Sequence, residues 1–174
     1  MLLDRFTFLW IIFMQNKIII IGAGIVGLAT GYQLIKKNPS VKILFVEKES
    51  DVSKHQTGNN SGVIHSGIYY KPGSLKARNC IEGYKRLLKF CDENEIKYNL
   101  CGKVIVATEE KEIPYLDRLY ERGKENGLEN LKLLSEKELK EFEPYVNGIK
   151  GIHVPQTGII DYAEVSQKLK EIFT

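Results

Sequence analysis

Lys17 to Ile21 reads KIIII, a β-branched run without polar alternation. That pattern predicts a strand buried on both faces of a parallel sheet. Glycines end the run, and apolar positions then recur at helical spacing through Ile25, Leu28, Ala29, Tyr32 and Ile35 until Asn38-Pro39 stops them. Val41 to Val46 predicts a second buried strand, so the chain opens with one βαβ unit of right-handed crossover. Ser50 to Gly73 follows with little periodicity, a stretch long enough to need a purpose of its own. Ala77, Ile81, Tyr84, Leu88 and Cys91 mark the inner stripe of a long helix, and Gly102 to Thr108 (GKVIVAT) predicts a strand. Pro114, with Leu116, Leu119 and Tyr120 inside and Gly127 past the end, punctuates an amphipathic helix whose exposed start is the charged run Glu109 to Glu112. Ser135 with Glu138, and Asp161 with Glu164, have capping-box spacing; the second opens a helix that turns Val165, Leu169 and Ile172 inward.

Composition narrows the class. The chain has 174 residues and is 43% hydrophobic, enough for one globular domain with a true core. A net charge of +3, mixed along the chain, excludes a nucleic-acid footprint. No apolar run reaches the length of a bilayer span. Phe6 to Met14 is apolar but lacks a basic leader and a small-residue cleavage site, so export is not expected; Met14 is the better start, and at most this run touches a membrane peripherally. Cys80, Cys91 and Cys101 show neither pairing nor metal spacing, which predicts small buried residues in a reducing, cytoplasmic setting. Three histidines without ligand partners predict no metal site.

Gly22-Ala23-Gly24-Ile25-Val26-Gly27 is G-x-G-x-x-G between a predicted strand and a predicted helix, and Glu47, followed by Lys48, ends the next strand. Gly22 permits the tight turn, Gly24 admits a pyrophosphate to the backbone, and Gly27 lets helix and strand pack closely. The helix N-terminus then faces the phosphates. Glu47 suits ribose hydroxyls and repels a 2′-phosphate, which disfavours NADP. NAD and FAD both use such a cradle, and the turn alone does not separate them.

The loop His55 to Tyr70 reads HQTGNNSGVIHSGIYY, nearly free of charge. Gln56, Thr57, Asn60 and Ser61 offer neutral hydrogen-bonding groups, while Gly58, Gly62 and Gly67 leave room for a flat ring system. Val63 and Ile64 anchor the backbone before His65. His55 is expected to hydrogen-bond within the loop and His153 to lie at the surface or a strand edge. Tyr69 and Tyr70 either shape a pocket or pack. Lys76 and Arg78 either hold a carboxylate or are solvated.

That loop, with YKPGSLKARNC from Tyr70, FCDENEIKY from Phe90, CGKVIVAT from Cys101 and VPQTGIIDY from Val154, resembles the FAD-dependent L-2-hydroxyglutarate dehydrogenase/oxidase family, within the D-amino-acid-oxidase-like flavoproteins. The resemblance runs from about Asn16 to the C-terminus. It implies FAD, oxidation of an L-2-hydroxy diacid to 2-oxoglutarate, and electron delivery to oxygen or a quinone. Asn59 stands where the family's TGHNSG run has histidine. With the loop beside a flavin, His65 becomes the candidate base, or else a residue that merely hydrogen-bonds the flavin or backbone. The fold class expected is α/β: an incomplete Rossmann-like FAD-binding βαβ unit plus the opening of an α+β substrate domain. The plan is an extension at 1–15, the first part of the FAD domain at 16–101, the start of the substrate domain at 102–153 and a return helix at 154–174. The family's members are about twice as long, so the sheet should keep an exposed edge. Two functions follow: a 2-hydroxy-acid oxidoreductase whose C-terminal half is supplied in cis or as a separate chain, or a catalytically silent dinucleotide-binding fragment or complementing subunit. An NAD-binding module of other activity is the third.

Overall fold

The computed structural model describes residues 17–174. The extension at 1–15, its apolar run and the expected start at Met14 lie outside the described residues. In chain order the elements are β1 (Lys17–Ile21), α1 (Ile25–Lys37), β2 (Lys42–Val46), β3 (Val63–Ile64), α2 (Leu75–Glu93), β4 (Tyr98–Asn99), β5 (Lys103–Ala107), a 3-10 turn (Glu110–Glu112), α3 (Ile113–Glu125), β6 (Lys132–Ser135), α4 (Glu136–Phe142), β7 (Lys150–Val154), β8 (Gly158–Ile160) and α5 (Tyr162–Glu171). They form two compact units: the described residues up to Ser61 with Asp161–Thr174, and Gly62–Ile160. The domain limits drawn from the sequence at 101/102 and 153/154 both fall inside the second unit.

In the first unit β1 and β2 pair in parallel, Lys17 opposite Lys42 through Ile21 opposite Val46. Strand side chains alternate between faces. On one face the Phe45 ring meets Phe173 edge-on at 4.8 Å, beside Gly31 of α1, and Ile20 lies under Gly27. On the other face Ile19 and Ile21 are 62% and 86% exposed, with Leu44 and Val46 also in the open. Burial on both faces, expected from the unbroken apolar run, is therefore corrected: the described helices cover one face only. Among the described residues this sheet has two strands.

The second unit holds two three-stranded antiparallel sheets, ordered β3-β8-β4 and β5-β7-β6. Ile68, Ala107, Leu116, Leu119, Ile152 and Val154 form its core, α3 lying over the second sheet. Ser135 and Glu138 cap α4 reciprocally, and Asp161 caps α5 through the N–H groups of Ala163 and Glu164. Three expectations need correction. Glu109 to Glu112 is a separate 3-10 turn with its own reciprocal cap, because each carboxylate reaches the other residue's backbone N–H. His153 sits on central strand β7, half-buried and stacked at 4.3 Å on Phe142, not at a sheet edge. Of the cysteines only Cys91 is buried; Cys80 is partly covered and Cys101 exposed.

Candidate functional site

The first unit carries a backbone turn locked by one carboxylate. Gly22 has φ +96°, a left-handed conformation that glycine adopts without strain, and its N–H reaches Val46 O at 2.8 Å. A Cβ on Gly27 would land on the Gly22 carbonyl oxygen, and within 3.3 Å of Ile20 Cγ2, so the close approach of α1 to β1 requires glycine there. At Gly24, the N-cap of α1, a Cβ would meet only Thr57 Oγ1, at 3.3 Å. The first-turn N–H groups of a helix lack intrahelical partners. Here Thr57 Oγ1 accepts that of Ile25 at 3.1 Å.

Glu47 reaches across from the end of β2. One carboxylate oxygen accepts the Ala23 N–H at 2.8 Å, and the other accepts those of Lys48 and Glu49 at 2.8 and 3.1 Å. These backbone donors, Ala23 foremost, hold its carboxyl below the usual range, so it is anionic at neutral pH. Beside it lies a cleft of about 330 Å³ whose lining includes Ala23, Leu28, Phe45, Glu47, Val52 and Phe173. Lys170 of α5 closes part of the rim through an ion pair of 2.7 Å to Asp51.

The rest of the loop is braced by its own atoms. His55 Nε2 contacts Glu49 Oε1 at 2.8 Å, Asn59 Nδ2 donates to His55 O at 2.8 Å, and Asn60 Nδ2 donates to Gln56 O and Thr57 O at 3.1 and 2.6 Å. Gln56, Asn60 and Ser61 are exposed. Gly58 is required by the loop's own packing, since a Cβ there would strike Ser53 O. Lys48 is exposed, 3.6 Å from Glu49.

In the second unit, β3 pairs Val63 with Ile159 and Ile64 with Gly158, and Ile64 is 1% exposed, which fixes the backbone entering His65. Gly62, at φ +65°, accepts the Ile160 N–H at 2.8 Å through its carbonyl. After His65, Gly67 turns the chain at φ +90°, and buried Asn126 donates to Gly67 O at 3.2 Å and Tyr70 O at 2.9 Å. Arg122 Nη1 donates to Tyr69 O at 2.9 Å, and Lys103 Nζ lies 4.3 Å above the Tyr69 ring. His65 is exposed, yet partial desolvation and then the Lys103 charge hold it below its ordinary value, so its imidazole is neutral near pH 7. Burial, then Tyr115, pushes the Tyr69 hydroxyl up, so it stays protonated. Lys76 and Arg78 are exposed on α2.

Sequence reasoning passed over Lys103, Arg122 and Asn126. A lysine opening an otherwise apolar strand was a usable signal. Asn126 was hidden by its place at a helix end, where asparagine is expected for backbone reasons alone. Among the described residues, no helix is long and apolar enough to cross a membrane, and no three His, Cys, Asp or Glu gather as metal ligands.

The model of the FAD dependent oxidoreductase family matches residues 17–174. An L-2-hydroxyglutarate dehydrogenase of Indibacter alkaliphilus is 58% identical over 92% of this chain and 40% of its own length. The mitochondrial L-2-hydroxyglutarate dehydrogenase of Homo sapiens is 50% identical over 90% of this chain and 34% of its own. Among solved structures, dithionite-reduced L-alpha-glycerophosphate oxidase of Mycoplasma pneumoniae with FAD bound superposes with a TM-score of 0.80 at 33% identity, over 88% of this chain and 41% of that one. Glycine oxidase of Bacillus cereus, at 21% identity and a TM-score of 0.71 over 90% of this chain and 43% of its own, shares the fold. The chain thus spans about 40% of the length of the Indibacter relative.

Proposed function

Because the chain belongs to the FAD dependent oxidoreductase family, we propose that it carries the cofactor-gripping turn and part of the substrate surface of an enzyme oxidising L-2-hydroxyglutarate to 2-oxoglutarate. The observation that carries the proposal is the extended likeness to L-2-hydroxyglutarate dehydrogenases, running through both the glycine turn and the His65 segment.

The residues present fit the ADP half of FAD. Gly24 leaves the backbone open at the helix start, and the N–H groups of Gly24, Val26 and Gly27 suit a pyrophosphate. Glu47, held anionic, suits ribose hydroxyls, and the apolar cleft beside it suits an adenine ring. Ala23 and Ile25 shape the turn through their N–H bonds to Glu47 and Thr57. Lys48, Gln56, Gly58, Asn60, Ser61 and Gly62 complete the proposed binding set.

When bound, FAD supplies a hydride acceptor. Oxidation of the carbinol also requires loss of the hydroxyl proton, and His65 is the proposed recipient: its imidazole is neutral and exposed, and β3 fixes its backbone. Protonated Tyr69 donates no charge to the reaction and suits a neutral hydrogen bond to substrate. Oxygen or a quinone is the proposed final electron acceptor, and the proposed setting is reducing and cytoplasmic, with at most peripheral membrane contact. A second reading, a dinucleotide-binding segment acting only with further polypeptide, in cis or as a separate chain, is favoured by the exposed face of Ile19, Ile21, Leu44 and Val46.

The test is anaerobic mixing of the FAD-loaded protein with each enantiomer of 2-hydroxyglutarate. The L form is expected to bleach the flavin's visible band and the D form to leave it. A loaded protein untouched by the L form contradicts the assignment.

A further inference from the structure

We propose that Lys103 anchors a carboxylate of the hydroxy-acid substrate, making it a specificity residue that selects an acid over a neutral alcohol. The assignment rests on the substrate class proposed above, but it stands on separate observations.

Lys103 opens β5, with Val104, Ile105, Val106 and Ala107 behind it. Lys103 is half-buried. A lysine withdrawn from water ordinarily finds a carboxylate, since desolvated charge without a counter-ion is costly. The comparable lysines of this chain follow that rule: Lys150 pairs with Asp117 and Lys170 with Asp51, each at 2.7 Å. Lys103 does not. Among the described residues no Asp or Glu lies within ion-pair distance of it, and its one close partner is the Tyr69 ring, at 4.3 Å. A ring face attracts the charge without accepting a directed hydrogen bond from every N–H, so N–H donors remain for an incoming anion.

The surroundings point the same way. Arg122 and Asn126 hold the backbone of the Tyr69 segment, so the platform under the ammonium is fixed in advance. Lys103 is also close enough to His65 for its charge to disfavour the imidazolium. One charged anchor and one neutral proton acceptor within electrostatic reach of each other match a molecule bearing a carboxylate and a hydroxyl. Burial lowers the proton affinity of Lys103, and a bound carboxylate restores it, so anion and ammonium stabilise each other.

The direct test is a lysine-acylation footprint of the full chain with FAD present, read by mass spectrometry. L-2-Hydroxyglutarate and glutarate are expected to slow labelling of Lys103 while Lys36 and Lys150 label unchanged; glycerol, which has hydroxyls and no carboxylate, is expected to protect nothing. Labelling of Lys103 indifferent to both diacids overturns the proposal. A kinetic arm uses the loaded enzyme: Lys103→Met is expected to raise KM for L-2-hydroxyglutarate about 10- to 100-fold with kcat little changed, and Lys103→Arg to recover part of the loss. A normal KM in Lys103→Met defeats the anchor while leaving the reaction intact. Protection of Lys103 by glutarate in a protein whose flavin L-2-hydroxyglutarate does not bleach defeats the reaction while leaving the anchor intact.

Discussion

Gly27→Ala is the sharpest perturbation of the glycine turn. Its Cβ would land on the Gly22 carbonyl oxygen, 3.2 Å from the carbonyl carbon and 3.3 Å from Ile20 Cγ2, so the obstacle is backbone rather than a mobile side-chain tip. Relief requires α1 to move off β1 or the left-handed turn at Gly22 to open, and either loosens the Ala23–Glu47 hydrogen bond. Overpacking of a rigid site costs about 1–3 kcal/mol, and backbone involvement places this case near the upper end, at about 3 kcal/mol. For a chain of this size, each kcal/mol lowers Tm by about 2–4 °C, so the expected fall is about 6–12 °C. Gly24→Ala is the matched control: its Cβ meets one hydroxyl oxygen at 3.3 Å and its backbone is extended, so Tm should stay within about 2 °C. The two variants should separate in FAD binding as well, because in the proposed binding mode a Cβ at Gly24 would obstruct the pyrophosphate without disturbing the fold. Thermal unfolding with and without FAD, followed by circular dichroism, checks both. A Gly27→Ala protein that melts with the wild type refutes the close-packing argument.

The other expectations concern charge and buried hydrogen bonds. His65→Ala should slow flavin reduction by L-2-hydroxyglutarate about 100-fold; in the parent the rate should rise with pH along a limb whose midpoint lies below the ordinary histidine value of 6.5, because burial and Lys103 both disfavour the protonated ring. Removing Lys103 should move that limb upward, and a stopped-flow pH series that leaves it in place contradicts the coupling. Glu47 has a depressed carboxyl, so its stabilising hydrogen bonds are fully present above the unfolded value near 4.5 and are lost as pH falls through the lower folded value. Urea midpoints between pH 6 and 3 should therefore fall less steeply in Glu47→Gln. Asn126→Ala strips two carbonyls, Gly67 O and Tyr70 O, of a buried donor and should cost about 1–3 kcal/mol, read from the shift in urea midpoint.

The local elements of both units were readable from the chain because their signals are local. β1 begins and ends where the apolar run does, α1 ends just before Asn38-Pro39, and Ser135 with Glu138 caps a helix as its spacing predicts. The glycine turn was readable for the same reason, since Gly22 at φ +96° and the contact at Gly27 are demands of backbone geometry that only glycine meets. What escaped depends on contacts distant in sequence. β6, β7 and β8 are short, and their pairing is decided by partners such as Val154 against Lys103. The exposure of Ile21 and Val46 was invisible because an apolar run records what a strand prefers, not what covers it. Asn126 acts on carbonyls nearly sixty residues away, and no periodicity in either segment announces that bond.

The central claim is that the Gly22–Gly27 turn and Glu47 grip the ADP end of a flavin dinucleotide. Titration of the chain with FAD and with FMN, followed by quenching of flavin fluorescence, tests it most directly, because the two ligands share the ring system and only FAD carries the adenosine end. Saturable FAD binding that ADP competes away, that Glu47→Ala weakens and that FMN does not reproduce is the predicted result; equal binding of FMN and FAD with no effect of ADP contradicts it.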